Sequence, residues 1–252
     1  MALFKNAYAS HEHSLKVLNL LYGYDSFLDS IQSVADMGCG DGLDTEWWAT
    51  LMTRDDPPEP RNYTVYAVDQ NVKNIDQNML KQNPNIFPIE RNFEEQRVIS
   101  RNVDLIWAHD SFQYARNPFK CLNLWKQTLN ENGMLILSIP QGTYTYNNSL
   151  RIEQHSQQYY NYNILNLIYM LAVSGFDCND AYFYREENTP WLYAAVYASQ
   201  HEPLTQDASW YDLADRGLIN DSLQNSINKY GYARLDDLLV TWLDKDFYKI
   251  TN

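Results

Sequence analysis

The stretch Val34-Ala-Asp-Met-Gly-Cys-Gly-Asp-Gly42 decides the fold. A short apolar run, Ser33–Met37, leads into glycines at 38, 40 and 42, and a helical pattern follows over Asp44–Met52. A strand, glycine loop and helix in this order let the backbone turn tightly and approach a ligand lying over the strand end. A P-loop is excluded because no Gly-Lys-Ser/Thr follows. A dinucleotide loop wants G-x-G-x-x-G, whose third glycine packs helix against strand. Here position 43 is Leu and the glycines run G-x-G-x-G. Asp36, just ahead of the loop, suits a cationic or hydroxyl-bearing ligand better than a pyrophosphate.

Outward from the loop, strand and helix patterns alternate. Thr64–Val68, Ile86–Ile89, Val103–Trp107 and Met134–Ile139 read as strands, and Asn71–Gln82 and Pro118–Asn130 as helices. Asn132-Gly133 reads as the turn into the strand at Met134. Arg54–Asn62, with prolines at 57, 58 and 60, is a surface excursion. This rhythm predicts an α/β fold whose parallel sheet is covered on both faces. Upstream, Ser10–Leu28 reads as a helix capped by Ser10. Downstream, helix Ile164–Val173 precedes strands Ala181–Arg185 and Trp191–Ser199, joined so closely that they must be antiparallel. Residues 201–252 read as a helical extension, its last helix marked by Leu235, Leu238, Leu239, Trp242 and Leu243. The expected division is a domain at 1–200, with a lid helix in 1–30, and the extension at 201–252.

Charge narrows the function. The 252-residue chain has 19 Lys+Arg against 32 Asp+Glu, a formal net charge of −13. That balance argues against nucleic acid and anionic membrane surfaces as partners. Cys39, Cys121 and Cys178 are odd in number and far apart, which indicates neither a disulfide framework nor a zinc site. His11 and His13 flank Glu12, but i, i+2 spacing points them to different helix faces, so no metal is expected. There is no apolar run of membrane length and no secretory leader pattern at the N-terminus, so a soluble, cytoplasmic protein is expected. Oligomeric state is left open.

Asp36 followed by Gly38, Gly40 and Gly42 resembles the first motif of the class I S-adenosylmethionine-dependent methyltransferases. The resemblance spans roughly residues 30–200. It implies a Rossmann-like, doubly wound seven-stranded sheet in the order 3-2-1-4-5-7-6: five parallel strands and a closing antiparallel hairpin. It also implies S-adenosylmethionine as cofactor, with S-adenosylhomocysteine as product, and methyl transfer to a small-molecule or protein-borne nucleophile. Transfer or modification of other parts of the cofactor, and cofactor binding without catalysis, are the alternatives on this fold. Asp36, Gly38, Cys39, Gly40 and Gly42 would form the cofactor loop, with Asp69 on the ribose hydroxyls and Gln70 beside it. Asn92 and Phe93 fall where the family reads adenine.

His109 and Asp110 end the fourth strand, where the family places the methionine moiety and the acceptor. The resemblance also implies that the aromatic, polar segment 141–162 contributes to acceptor binding, through Tyr144, Tyr146, Arg151, His155, Tyr159 and Tyr160. A general base is needed only if the acceptor must lose a proton. His109 and His155 are then the side chains whose ordinary pKa lies nearest neutrality, with Asp110 and Tyr160 as substitutes.

Overall fold

The computed structural model describes residues 3–23, 25–96, 98–140, 160, 162–185, 191–219 and 221–230. Strand β1, Ser33–Met37, is buried at its last four positions, the pattern of a strand covered on both faces. It sits mid-sheet, with β2 (Thr64–Asp69) on one side and β4 (Val103–His109) on the other, both parallel to it. β3 (Ile86–Glu90) adds to β2, and β5 (Leu129–Pro140) to β4. β7 (Trp191–Ala198) joins β5 antiparallel, and β6 (Phe176–Arg185) closes the edge antiparallel to β7. The order is β3-β2-β1-β4-β5-β7-β6, as the motif implied.

Helices cover both faces. On one lie α1 (Leu3–Leu21), α2 (Asp25–Asp29), α3 (Leu43–Ala49) and α4 (Gln77–Gln82), packed through Leu18, Leu28, Trp48 and Met79 onto Val34, Val65, Leu105 and Trp107. On the other, α5 (Pro118–Thr128) and α6 (Ile164–Val173) bury Leu122, Trp125, Leu167 and Leu171 against Ala35, Ile106, Leu135 and Val196. Leu213 and Ala214 of α7 (Trp210–Asp215) and Leu223 of α8 (Asp221–Tyr230) enter the same core. No described helix is long and apolar enough to cross a membrane. The apolar stripe at 235–243 lies outside the described residues.

Local chemistry moves several boundaries. Ser10 falls inside α1 rather than at its start, and the helix stops at Leu21, ahead of Gly23, before α2 begins. The single helix expected at 71–82 is two pieces, because Asn71 and Asp76 each accept the N–H two residues on. Such side-chain turns compete with a continuous helix. Asn132-Gly133 is an irregularity within β5, not a turn ahead of it: the register jumps from Val103↔Leu129 to Leu105↔Met134, and Asn132 takes φ 63°.

Asp104 stabilises that irregularity. Its Oδ1 accepts Asn130 Nδ2 at 2.6 Å, and its Oδ2 accepts the Gln32 and Ser33 N–H groups and Ser33 Oγ at 2.8–2.9 Å. Burial pushes this carboxyl up, but the hydrogen bonds outweigh it and hold the pKa below the ordinary 3.8. Asp104→Ala is expected to lower unfolding free energy by about 2–3 kcal/mol, read from urea melts at neutral pH. With a depressed folded-state pKa, this contribution is present above 3.8 and lost as pH falls through the folded value, so wild type and variant converge on acidification.

Candidate functional site

The glycine loop leaves the carboxyl end of β1, where ligands of open α/β sheets bind. Its N–H groups are used internally: Gly38 and Cys39 both donate to Val68 O, at 2.8 and 3.1 Å, and Gly42 to Cys39 O at 2.9 Å. Gly40 donates to Asp69 Oδ2 at 3.1 Å. A phosphate cradle instead keeps its N–H groups pointed at the ligand. At Gly38 a Cβ would stand 2.4 Å from Ser111 Cβ, so only glycine lets the β4 turn lie against the loop. At Gly40, with φ 57°, a Cβ would meet nothing within 4 Å; this is the loop's open side. Gly42 directly precedes α3.

Asp36 lies beneath the loop. It is 3% exposed and accepts Thr45 Oγ1 at 2.6 Å, which fastens the first turn of α3 to the end of β1. Burial, with the neighbouring charges of Asp44, Asp69 and Asp41, pushes its carboxyl well above the usual range. Cys39 is buried, and burial raises its thiol pKa. Asp69 ends β2 half-buried, with Oδ1 accepting Asn71 N–H at 2.9 Å while Oδ2 holds Gly40. Each oxygen keeps further acceptor capacity. Gln70 beside it is exposed. Asn92 Oδ1 accepts Glu94 N–H at 2.9 Å, and Phe93 is buried, its carbonyl accepting Trp125 Nε1 at 3.1 Å.

The end of β4 divides between the two sides of the sheet. His109 is 9% exposed, its Nδ1 is hydrogen-bonded to Ser138 Oγ, and its ring stacks with Trp191 (4.9 Å, 21°) and Trp107 (6.2 Å, 18°). Asp110 then takes φ 50° and binds Gln113 Nε2 at 2.6 Å. Ser111 Oγ donates to Met37 O at 2.5 Å and ties this turn to β1. Tyr160 is 42% exposed, its hydroxyl donating to Arg116 O at 3.1 Å. Tyr144, Tyr146, Arg151, His155 and Tyr159 lie outside the described residues. Among the described residues, no group of three or more His, Cys, Asp or Glu could hold a metal ion.

Sequence reasoning missed Asp44. In the first turn of α3, its Oδ1 lies 2.6 Å from His11 Nδ1 and accepts Ser14 Oγ at 2.5 Å, while its Oδ2 accepts Trp107 Nε1 at 2.9 Å. One carboxylate thus joins α1, α3 and β4. The acidic residue at a helix start was visible, but its partners, up to 63 residues away, were not. His13 packs its ring 5.2 Å from Trp191, so α1 closes over the aromatic layer that contains His109.

Residues 35–137 match the model of a methyltransferase domain. No curated protein matches the chain. Among solved structures, the chain is similar to the Burkholderia thailandensis 1,6-didemethyltoxoflavin-N1-methyltransferase: 14% identity over 75% of this chain and 90% of that one, TM-score 0.52. It is also similar to the CurJ carbon methyltransferase, at 13% identity over 67% of this chain, TM-score 0.51. A third is the phosphoethanolamine N-methyltransferase 2 of Haemonchus contortus, at 14% identity over 67%, TM-score 0.50. The chain spans 48% and 49% of the last two. These likenesses carry the fold. With the domain match, they place a methyltransferase-type domain at residues 35–137 on a sheet of the order that the class I resemblance implies.

The His11–Asp44 contact makes the docking of α1 depend on pH. The Asp44 hydrogen bond, opposed by burial and helped by the charges of Asp44, Asp41 and Glu46, raises His11 above its ordinary 6.5. Burial pushes Asp44 up, but the bond to His11, the nearby His109 and the bonds from Ser14 and Trp107 hold it below 3.8. The His11 contribution is therefore complete below 6.5 and lost as pH rises through the folded value; the Asp44 contribution is lost only on acidification below 3.8. Amide protection factors in α1 should fall as pH rises above 6.5, and His11→Gln should flatten that dependence.

Proposed function

We propose that the chain transfers the methyl group of S-adenosylmethionine to a small-molecule or protein-borne nucleophile in the cytoplasm. The observation that carries this reading is the glycine loop itself, ringed by Asp36, Asp41, Asp44 and Asp69 with its N–H groups already used. Carboxylates around such a loop attract a cation and repel a pyrophosphate. Asp69 at the end of β2 suits a vicinal diol, since both oxygens can accept further hydrogen bonds. Gly38, Cys39, Gly40 and Gly42 would hold the amino-acid and ribose portions, with Asp36 fixing the loop from below and Gln70 beside the ribose. Asn92 and Phe93 would flank the adenine.

Bound there, S-adenosylmethionine supplies a methyl carbon already activated on a sulfonium. The acceptor's lone pair forms the new bond to that carbon as the bond to sulfur breaks, the electron pair remaining on the sulfur of S-adenosylhomocysteine. What the chain adds is mostly alignment and exclusion of water. His109 and Asp110 at the end of β4, with Tyr144, Tyr146, Arg151, His155, Tyr159 and Tyr160, would form the acceptor side. Where the acceptor must lose a proton, His109 and His155 are the proposed bases. Asp110 also stands at this strand end; its carboxylate is half-exposed and oriented by Gln113, whereas His109 is packed between indoles.

Two relatives in fold were solved with S-adenosylhomocysteine and a small molecule: 1,6-didemethyltoxoflavin in one, phosphomonomethylethanolamine in the other. Those complexes support a small-molecule acceptor for this chain.

Calorimetry is expected to give a dissociation constant near micromolar for S-adenosylmethionine, about −8 kcal/mol, with no binding of NADH. Asp69→Ala should weaken that binding by about 1.5–3 kcal/mol while the thermal melt is retained. Binding of NADH in place of S-adenosylmethionine would overturn the reading. In a separate titration, no salt-sensitive sub-micromolar complex with tRNA or duplex DNA is expected, given the net charge of −13.

A further inference from the structure

We propose that the methyl acceptor carries an N–H or O–H donor that is read at the end of β4 by the carbonyl of Gln113 beside Asp110. The inference rests on the methyl-transfer reading above and narrows it to a class of acceptor. Asp110 adopts φ 50°, a conformation non-glycine residues hold only where their surroundings fix it. Two contacts do so here: its N–H donates to Ser138 O at 2.9 Å, and its Oδ1 accepts Gln113 Nε2 at 2.6 Å. A carboxylate only accepts, so the second contact also fixes which way the Gln113 amide points. Nε2 faces Asp110, and Oε1 is left on the other limb of the same amide.

Of the few buried side-chain atoms without a partner among the described residues, that oxygen is the one on the turn at the end of β4. Gln113 is 1% exposed, and among the described residues its Oε1 meets no hydrogen-bond donor. More than about 90% of buried polar atoms in folded proteins have a partner, because an unpaired one has lost its water for nothing. The turn that carries the orphaned carbonyl leaves the carboxyl end of β4, the edge at which ligands of open α/β sheets bind. Ser111, between Asp110 and Gln113 in sequence, is hydrogen-bonded to Met37 O and abuts Gly38. The Asp110–Gln113 pair therefore flanks the glycine loop at the carboxyl ends of β1 and β4. An amide oxygen next to a carboxylate demands a donor. An amine or amide N–H or a hydroxyl satisfies it, whereas a carboxylate or thiolate acceptor would set like against like.

The test uses the full chain saturated with S-adenosylhomocysteine, labelled with nitrogen-15. The Gln113 side-chain resonances are assigned by their loss in Gln113→Met. Three matched pairs of probes are titrated, aniline against N,N-dimethylaniline, benzamide against N,N-dimethylbenzamide and phenol against anisole, with benzoate as the acceptor-only control. The donor member of at least one pair should shift the Gln113 amide and bind about tenfold tighter than its methylated partner, and Gln113→Met should erase that preference. The responding pair distinguishes amine, amide and hydroxyl. Equal binding within all three pairs, benzoate binding as well as benzamide, or no shift of Gln113 by any probe would overturn the proposal. Should Gln113→Met fail to fold, selective amide labelling makes the assignment and the comparison within each pair decides alone. Calorimetry of S-adenosylhomocysteine on the same samples separates the two readings: no binding defeats methyl transfer itself, and binding without donor preference defeats only the acceptor class.

Discussion

Val68 O is the pivot of this structure. A single carbonyl at the end of β2 accepts two successive N–H groups of the glycine loop, Gly38 and Cys39, and so fixes where the chain leaves β1. From there the constraints propagate. Gly40 can reach Asp69, one residue beyond Val68, only because the loop is already held to the same strand end. Ser111 can lie against Gly38 only because that residue has no side chain, and its hydroxyl then fastens the β4 turn to Met37 O. Three parallel strands are thereby pinned at their carboxyl ends around one open position, the side of Gly40. A Cβ at Gly38 would separate the β4 turn from the loop and open the site before any ligand contact was lost.

The sheet and the loop were legible in the sequence because their signals are local. β1 and β4 read as buried apolar runs, and the glycines at 38, 40 and 42 announce a turn wherever they occur. Asn132-Gly133 misled for the opposite reason. The dipeptide does take a left-handed φ, yet its backbone stays in the β5 ladder because Asp104, on the neighbouring strand, gathers in Asn130. No window around residue 132 contains that carboxylate. The helix expected at 71–82 broke on two side chains that were in plain view, Asn71 and Asp76, whose turn-forming tendency outweighed the helical period.

The site divides in the same way. The loop could be read from its glycines and Asp69 picked out by the resemblance, whereas the convergence of His11, Ser14, Asp44 and Trp107 depends on how α1 settles on the sheet. His109 shows the limit most clearly. Its place at a strand end is legible in the sequence, but β7 brings Trp191 alongside it and Trp107 stacks from two residues before, and the first of these does not follow from the residue's own surroundings in the chain.

The charges of the site are segregated, and the proposed reaction gives a reason. Asp36, Asp41, Asp44 and Asp69 lie at or under the glycine loop, while the end of β4 presents indole and imidazole rings over Ser138. A sulfonium loses its positive charge as its methyl leaves, so a carboxylate pressed against sulfur would stabilise the starting state more than the transition state and slow the chemical step. Carboxylates set back around the loop contribute to holding a cation without acting selectively on its ground state at the reacting bond. An aromatic face is a weaker attractor than a carboxylate and excludes water as well. Asp110 is the exception, and it is tethered: the amide of Gln113 occupies one of its oxygens and a backbone contact to Ser138 holds it in a left-handed conformation. Fixed in that way, the carboxylate is directed by the turn that carries it, and it stands at a defined position beside the loop.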